Sequence, residues 1–444
     1  MKVTHIAHAC MLIESNGVRL LTDPWLEGPT FFGSWWQFPP PKLTVADIAP
    51  VDCIYISHSH RDHQHEPTLR LFDKNTPILI PYLSDQEQHR ELQAMGFKNI
   101  IELDHKEKFQ FKNAIDITLF RNDWDSAILV HDGESTLLNA NDCYISHLAS
   151  YIRSLYPKLD IAFFPFLDAR DFPASYDLSE ASFHGSQEEQ DDGTIEHFIR
   201  DAIRFQPKAV VPFASHKVFA RPNQHFMNKR RTPLDLRKRF EAAMQQHGLD
   251  IEFFDMNSTD TWESGKGFTR HNFFDWENVE AELQKFYASQ APLVQDLISQ
   301  QRPVPNFSEK FAAFATALTS TSPIIRKFFL DYKLAFCFED QAEKYWLIDF
   351  PAGRFSGPLL DEPKDYDVKL TTSSYLFNES MIERREYWED TLLSNLVFAK
   401  VKPNIPYTKI KFLKVFFNVR CDEAKFLRIT ARKAFEKIRV QLTA

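Results

Sequence analysis

His58-Ser59-His60-Arg61-Asp62-His63 is the stretch on which the reading of this chain turns. It follows Cys53-Ile54-Tyr55-Ile56-Ser57, an apolar run of strand length, so four potential metal ligands arrive within six residues at a strand end. Side chains two apart on extended backbone point the same way, which sends His58 and His60 toward one ion. The tight turn that follows lets Asp62 and His63 face a second ion beside the first. Imidazole and carboxylate together suit zinc, iron or manganese. Packing alone explains such a cluster poorly, because adjacent imidazoles must be hydrated or buried at a cost.

Outward from the motif, strands alternate with helices. Val18–Thr22 reads as a strand running into Asp23-Pro24-Trp25. A helix is expected at 66–73, a strand at 77–81, and a helix at 85–95 with Gly96 as its cap. Strand-like pieces continue at 115–120, 127–131, 136–139 and 161–164. A helix covers about 195–205, and the strand Ala209–Phe213 stops at Ala214-Ser215-His216. Polar, ligand-type residues sit just past strand ends, where α/β proteins place their sites. Polar residues 257–267 break the periodicity and mark the expected junction between a domain at 1–260 and an α+β domain at 268–444. The latter carries helical patterns at 276–298 and 308–318, then strands at 334–338, 346–350 and 367–371.

With 444 residues, 43% of them hydrophobic, the chain can build more than one core. Its 41 phenylalanines favour sheets and deep apolar packing. A net charge of −9 argues against a nucleic-acid surface, and the basic run from Lys229 to Arg239 reads as a solvated helix face. Five scattered cysteines, no secretory signal and no apolar run of membrane-spanning length make a cytoplasmic protein with no membrane span the expectation.

The motif after its strand, with Asp23 on an early strand, resembles the metallo-β-lactamase superfamily, whose fold is an αββα sandwich with the site at one edge. Thr4-His-Ile-Ala-His-Ala-Cys10, Thr22-Asp-Pro-Trp-Leu26, Leu138-Asn-Ala-Asn-Asp-Cys143 and Pro212-Phe-Ala214 are similar to the CMP-N-acetylneuraminate hydroxylase family from about residue 3 to 260. The resemblance implies that Asp142 bridges two metals, that Asp23 supports the site from behind its ligands, and that His216 is the last histidine ligand, with His225 as its competitor. It also implies a further histidine near the end of 115–120. The chain instead reads Phe120-Arg-Asn-Asp123-Trp-Asp125, so Asp123 or Asp125 is the expected replacement. A carboxylate there hardens the site and favours iron or manganese over zinc.

The expected metal ligands are thus His58, His60, Asp62, His63, Asp123, Asp125, Asp142 and His216, with Asp62 and Asp142 also expected to act in catalysis. His5 and His8 flank the first strand, where packing or exposure is the reading over lining the pocket. His65 stands behind the ligands or at the surface, and His184 lies in a loop facing the site. Trp25, Trp35, Trp36 and Phe38 roof a pocket or cap a sheet.

Two activities follow. One is a diiron hydroxylase that uses O2 on a small molecule or carrier-bound metabolite. The other is a zinc hydrolase of a phosphodiester, amide or ester. The sialic acid hydroxylases pair this domain with a Rieske centre, which needs close Cys-x-His pairs, and the sequence has none. Electrons are therefore expected from a separate ferredoxin or reductase, or from the substrate.

Overall fold

The computed structural model describes residues 1–168, 175–177 and 180–432. Contacts divide the chain into two compact units, residues 1–169 with 184–292 and residues 170–183 with 293–444.

Two mixed sheets form the first unit. One runs Gly267–Thr269, Thr261–Glu263, Lys2–Ala7, Cys10–Ser15, Val18–Thr22, Cys53–Tyr55, Ile78–Pro81, Ile100–Leu103. The other runs Glu252–Phe253, Ala209–Phe213, Ile161–Pro165, Thr136–Asn139, Asp125–His131, Ile115–Asn122, Lys108–Phe111. Period-two alternation decides which face each residue serves. Ile117, Leu119, Ile128, Val130, Ile161 and Phe163 turn inward to meet Met11, Leu20, Tyr55 and Leu79 of the opposite sheet. Their neighbours Phe120, Ala127, Leu129, Ala162 and Phe164 turn outward against helical residues such as Ile152, Phe198 and Phe240. Ile54, Ile78 and Ile80 likewise meet Val45, Leu69 and Leu92 on the other flank. Each large apolar side chain so buried contributes about 1.5–3 kcal/mol. The four layers are the expected αββα sandwich.

Two expectations shift. The polar stretch 257–267 is not a junction: Thr261–Glu263 pairs with Lys2–Thr4 and forms a hairpin with Gly267–Thr269, so the unit continues to Pro292. The helix read at 195–205 begins at Glu180, which places His184 on a helix and not in a loop, its ring edge-on to Phe226. That helix also accounts for the basic run: Arg230 pairs with Asp191, while Arg231 and Arg239 pair with Asp192.

The second unit holds a five-stranded sheet in the order Arg354–Leu359, Tyr345–Asp349, Lys333–Phe338, Val368–Thr372, Phe398–Val401. Phe311, on the helix Phe307–Thr319, meets Phe336, Phe338, Trp346 and Phe377 with ring centroids 4.8–5.4 Å apart. Much of the unusual phenylalanine content lies in this core. Among the described residues no helix is long and apolar enough to cross a membrane, and all five cysteines are free thiols.

Candidate metal centre

Parallel pairing puts the carboxyl ends of Val18–Thr22 and Cys53–Tyr55 side by side, and those of Thr136–Asn139, Ile161–Pro165 and Ala209–Phe213 likewise. At four such exits the backbone takes the left-handed conformation on a non-glycine residue: His8 (φ 48°), Asp23 (φ 35°), Asn141 (φ 49°) and Ala214 (φ 52°). Strain of about 1–3 kcal/mol per residue persists only where the surroundings enforce it, and such residues gather at functional sites. Three of these turns bring His8, Asp23 and Asp142 around His63.

Asp23 is fully buried. Its Oδ1 accepts a hydrogen bond from the Ser57 amide at 2.7 Å, and its Oδ2 lies 3.1 Å from His63 Nδ1. The Oδ1 bond fixes the strand exit, and Oδ2 sets a negative charge beside the His63 ring without hydrogen-bond geometry. The other ring nitrogen, His63 Nε2, lies 3.4 Å from Asp142 Oδ2 and 3.5 Å from Asp62 Oδ2 but meets neither with hydrogen-bond geometry. His58 Nε2 is 2.8 Å from His60 Nδ1, and the His58 and His63 rings are 4.2 Å apart between centroids. Beneath them the Ser57 hydroxyl lies 3.0 Å from His58 Nδ1 and 3.2 Å from His63 Nδ1. The Ser57 carbonyl accepts from the Ser126 hydroxyl, which is 2.8 Å from Tyr55 Oη.

Two triads of donor atoms result, each within 4.8 Å: His58, His63 and Asp142 form one, His8, Asp62 and His63 the other. Asp62 Oδ2 is 3.0 Å from His8 Nε2. His8 follows a register irregularity in the first strand, and its carbonyl accepts from the Ala214 amide. The sequence reading set this histidine aside as packing or surface. Its signal lay in the motif itself, a second histidine three residues after His5 in an otherwise apolar segment.

Several expected residues fall elsewhere. Asp125 joins the edge of the cluster, its Oδ1 3.9 Å from His58 Nδ1, whereas Asp123 is exposed in the hairpin turn with φ 59°. Asp125 is thus the nearer of the two to the cluster, and neither it nor His60 belongs to a triad. His216 is buried at its strand end but belongs to neither triad. Its ring packs on His5, Phe166 and Trp276, at 5.7, 6.0 and 6.2 Å. His225 stacks on Tyr287 at 3.7 Å and gives its Nε2 to the Ala220 carbonyl, so it is a packing residue. His65 is buried, not exposed; it precedes the short helix Glu66–Leu69 and its Nδ1 meets the Thr68 hydroxyl at 2.9 Å.

Electrostatics match a cation. Burial holds the His58, His8 and His216 imidazoles below their ordinary range, which keeps them neutral and able to donate a lone pair. Burial opposes the charge on His63 too, yet Asp62, Asp142 and Asp23 surround it and hold its pKa well above the ordinary value. Asp62 is fully buried, and the His63 charge and His8 hydrogen bond hold it well below the carboxylate range against that burial. An imidazolium among three carboxylates occupies the place that a metal cation would fill. The orphaned His63 Nε2, with Asp142 and Asp62 carboxylate oxygens 3.4 and 3.5 Å away, fits a metal group.

One further cation stands at this edge. Lys217 opens the strand Lys217–Phe219, which pairs with Trp35–Gln37 from the aromatic loop after Asp23. Burial pushes its pKa down to about 7, against the pull of Asp62 and Asp142. Nothing in the sequence singled it out.

Residues 2–150 match the family profile described as Beta-lactamase superfamily domain. The first unit has a metallo-β-lactamase fold. Similarity to a putative Rieske 2Fe-2S iron-sulfur protein of Mycolicibacterium smegmatis is 24% identity over 459 residues, 95% of this chain and 85% of that protein. The mouse cytidine monophosphate-N-acetylneuraminic acid hydroxylase is 29% identical over 152 residues, 32% of this chain and 26% of the hydroxylase. The chain thus spans about a quarter of the hydroxylase whose motifs it shares. Among solved structures, Igni18, a metallo hydrolase of the archaeon Ignicoccus hospitalis, overlaps 59% of this chain and 96% of its own at 18% identity and a TM-score of 0.41. Within the metallo-β-lactamase fold, the centre at the strand exits carries residue clusters able to hold metal ions.

Proposed function

We propose that this chain is a dinuclear metal enzyme, with iron as its metal, that uses O2 to hydroxylate a small molecule or a carrier-bound metabolite. His58 and Asp142 would hold one ion, with His60 and Asp125 at its edge, and His8 and Asp62 the other, with His63 within reach of both. The observation that carries the choice is Asp125 beside His58, where a histidine would complete a nitrogen-rich zinc set. Three carboxylates beside four imidazoles bring more oxygen than an all-histidine set, which suits iron or manganese. When bound, the ions would supply O2 activation. The protein's part is to hold the ligands: Asp23 fixes the Ser57 amide and lies against the His63 ring, and the Ser57 hydroxyl meets two imidazoles. The shared motifs and partial similarity to the sialic acid hydroxylases support this reading, with a separate ferredoxin or reductase as electron donor.

A hydrolase is the second reading. It is favoured by Asp62, buried and held ionised, which is placed to orient a water for attack. One experiment separates the two. Metal content is measured after growth with iron or with zinc, alongside O2 consumption with a chemical reductant. Iron near two per chain with reductant-dependent O2 uptake is expected. Zinc alone, with hydrolysis of bis(p-nitrophenyl) phosphate and no O2 uptake, overturns the hydroxylase.

A further inference from the structure

A cleft in the first unit is walled by Phe38, Phe166, His216, Trp276 and Leu283. Three cations line it. Arg230 and Arg231 are already matched, by Asp191 and Asp192. Lys217 is the exception. Its Nζ sits 3.2 Å from the centroid of the Trp35 ring, and among the described residues no carboxylate forms an ion pair with it. Lys217 thus combines a place in the cleft wall with an ammonium resting on an aromatic face, and its nearest negative charges, Asp62, Asp142 and Asp168, act on it without forming an ion pair. The strand pairing of Lys217 with Gln37 fixes its backbone, so the position is built rather than incidental.

We propose that Lys217 binds the anionic oxygen group, carboxylate or phosphate, of the substrate, while the substrate's apolar body lies against Phe38, Phe166 and Trp276. This names a substrate class for the metal centre and rests on that reading only for the word substrate. A lysine without an ion pair in a largely apolar wall selects small anions with a flat or apolar ring over neutral analogues of the same shape.

Calorimetric titration with benzoate, phenyl phosphate and neutral benzamide tests it, on the protein as purified and after chelation. Saturable binding of benzoate, phenyl phosphate or both, about tenfold tighter than benzamide, is expected. Lys217→Met should weaken the anion about tenfold and leave benzamide unchanged, while Lys217→Arg retains anion binding. The benzoate and phenyl phosphate arms distinguish carboxylate from phosphate. Anion affinity in Lys217→Met within about twofold of the parent overturns the proposal, as does benzamide binding as tightly as benzoate in the parent protein. Should Lys217→Met not fold, loss of anion binding in Lys217→Gln reads the same charge. Measurement after chelation removes direct ligation of the anion to metal, so Lys217-dependent binding in metal-free protein stands even if the iron assignment fails.

Discussion

His8 Nε2 and Asp62 Oδ2 stand 3.0 Å apart although 54 residues separate them in sequence. The contact joins the end of the first strand to the turn of the histidine motif, and makes His8 a member of the second triad. His8→Ala should therefore lower bound metal from about two ions to about one per chain, with the fold retained. Inductively coupled plasma analysis with circular dichroism checks this; unchanged metal would return His8 to a packing role.

Asp125 and Asp123 make a matched pair of opposite expectation. Asp125→Ala should lose metal affinity by about 10–100-fold, the usual cost of disturbing a metal site's carboxylate support. Asp123→Ala, in an exposed turn, should leave it unchanged. Competition with a chelating dye reads both. Equal loss in the two variants would contradict the placement.

Chelation should destabilise the first unit. Metal that binds only the folded state adds about 2.7 kcal/mol at a hundredfold excess over its dissociation constant. Removing it also leaves Asp62, Asp142 and the imidazoles to balance each other alone. A lower melting temperature after dialysis against EDTA, restored by ferrous or manganous ion, is the expected result. A melting temperature indifferent to metal would speak against the site.

Asp132 gives a pH dependence remote from the metal. Partial burial opposes its charge, but hydrogen bonds from the Ser15 hydroxyl and the amides of Ser135 and Glu134 hold its pKa down to about 2. A carboxylate with a depressed folded pKa stabilises the fold above its unfolded value, about 3.9, and loses that contribution as pH falls through the folded one. The stability difference between the parent and Asp132→Asn should thus be full at neutral pH and vanish from about pH 4 toward 2. Urea denaturation across that range measures it; a difference that persists at the acid end would refute the assignment.

How much the residues disclosed depended on distance along the chain. The His58–His63 motif was legible because strand, turn and ligands are contiguous. Asp142 was reached through the family resemblance, at the close of the short strand Thr136–Asn139. His8 was not, since its placement depends on a strand irregularity and a left-handed residue that only the folded sheet enforces. His216 was read at the right strand end, but the packing of its ring on His5 and Trp276 depends on segments far away in sequence. Gly185 and Gly193 hid the first half of the helix Glu180–Phe205, since glycine weakens a helical pattern without ending it. The polar residues 257–267 suggested a linker because they cover a sheet edge, and edge strands are short and hydrophilic.

The chain of hydroxyls from Tyr55 through Ser126 to the Ser57 carbonyl crosses from one sheet to the other directly under the imidazoles. It acts as a rivet between two plates. Slippage of one plate against the other would pull on the carbonyl of Ser57, the residue immediately before the ligand turn, so Tyr55 and Ser126 hold that turn in place from the interior.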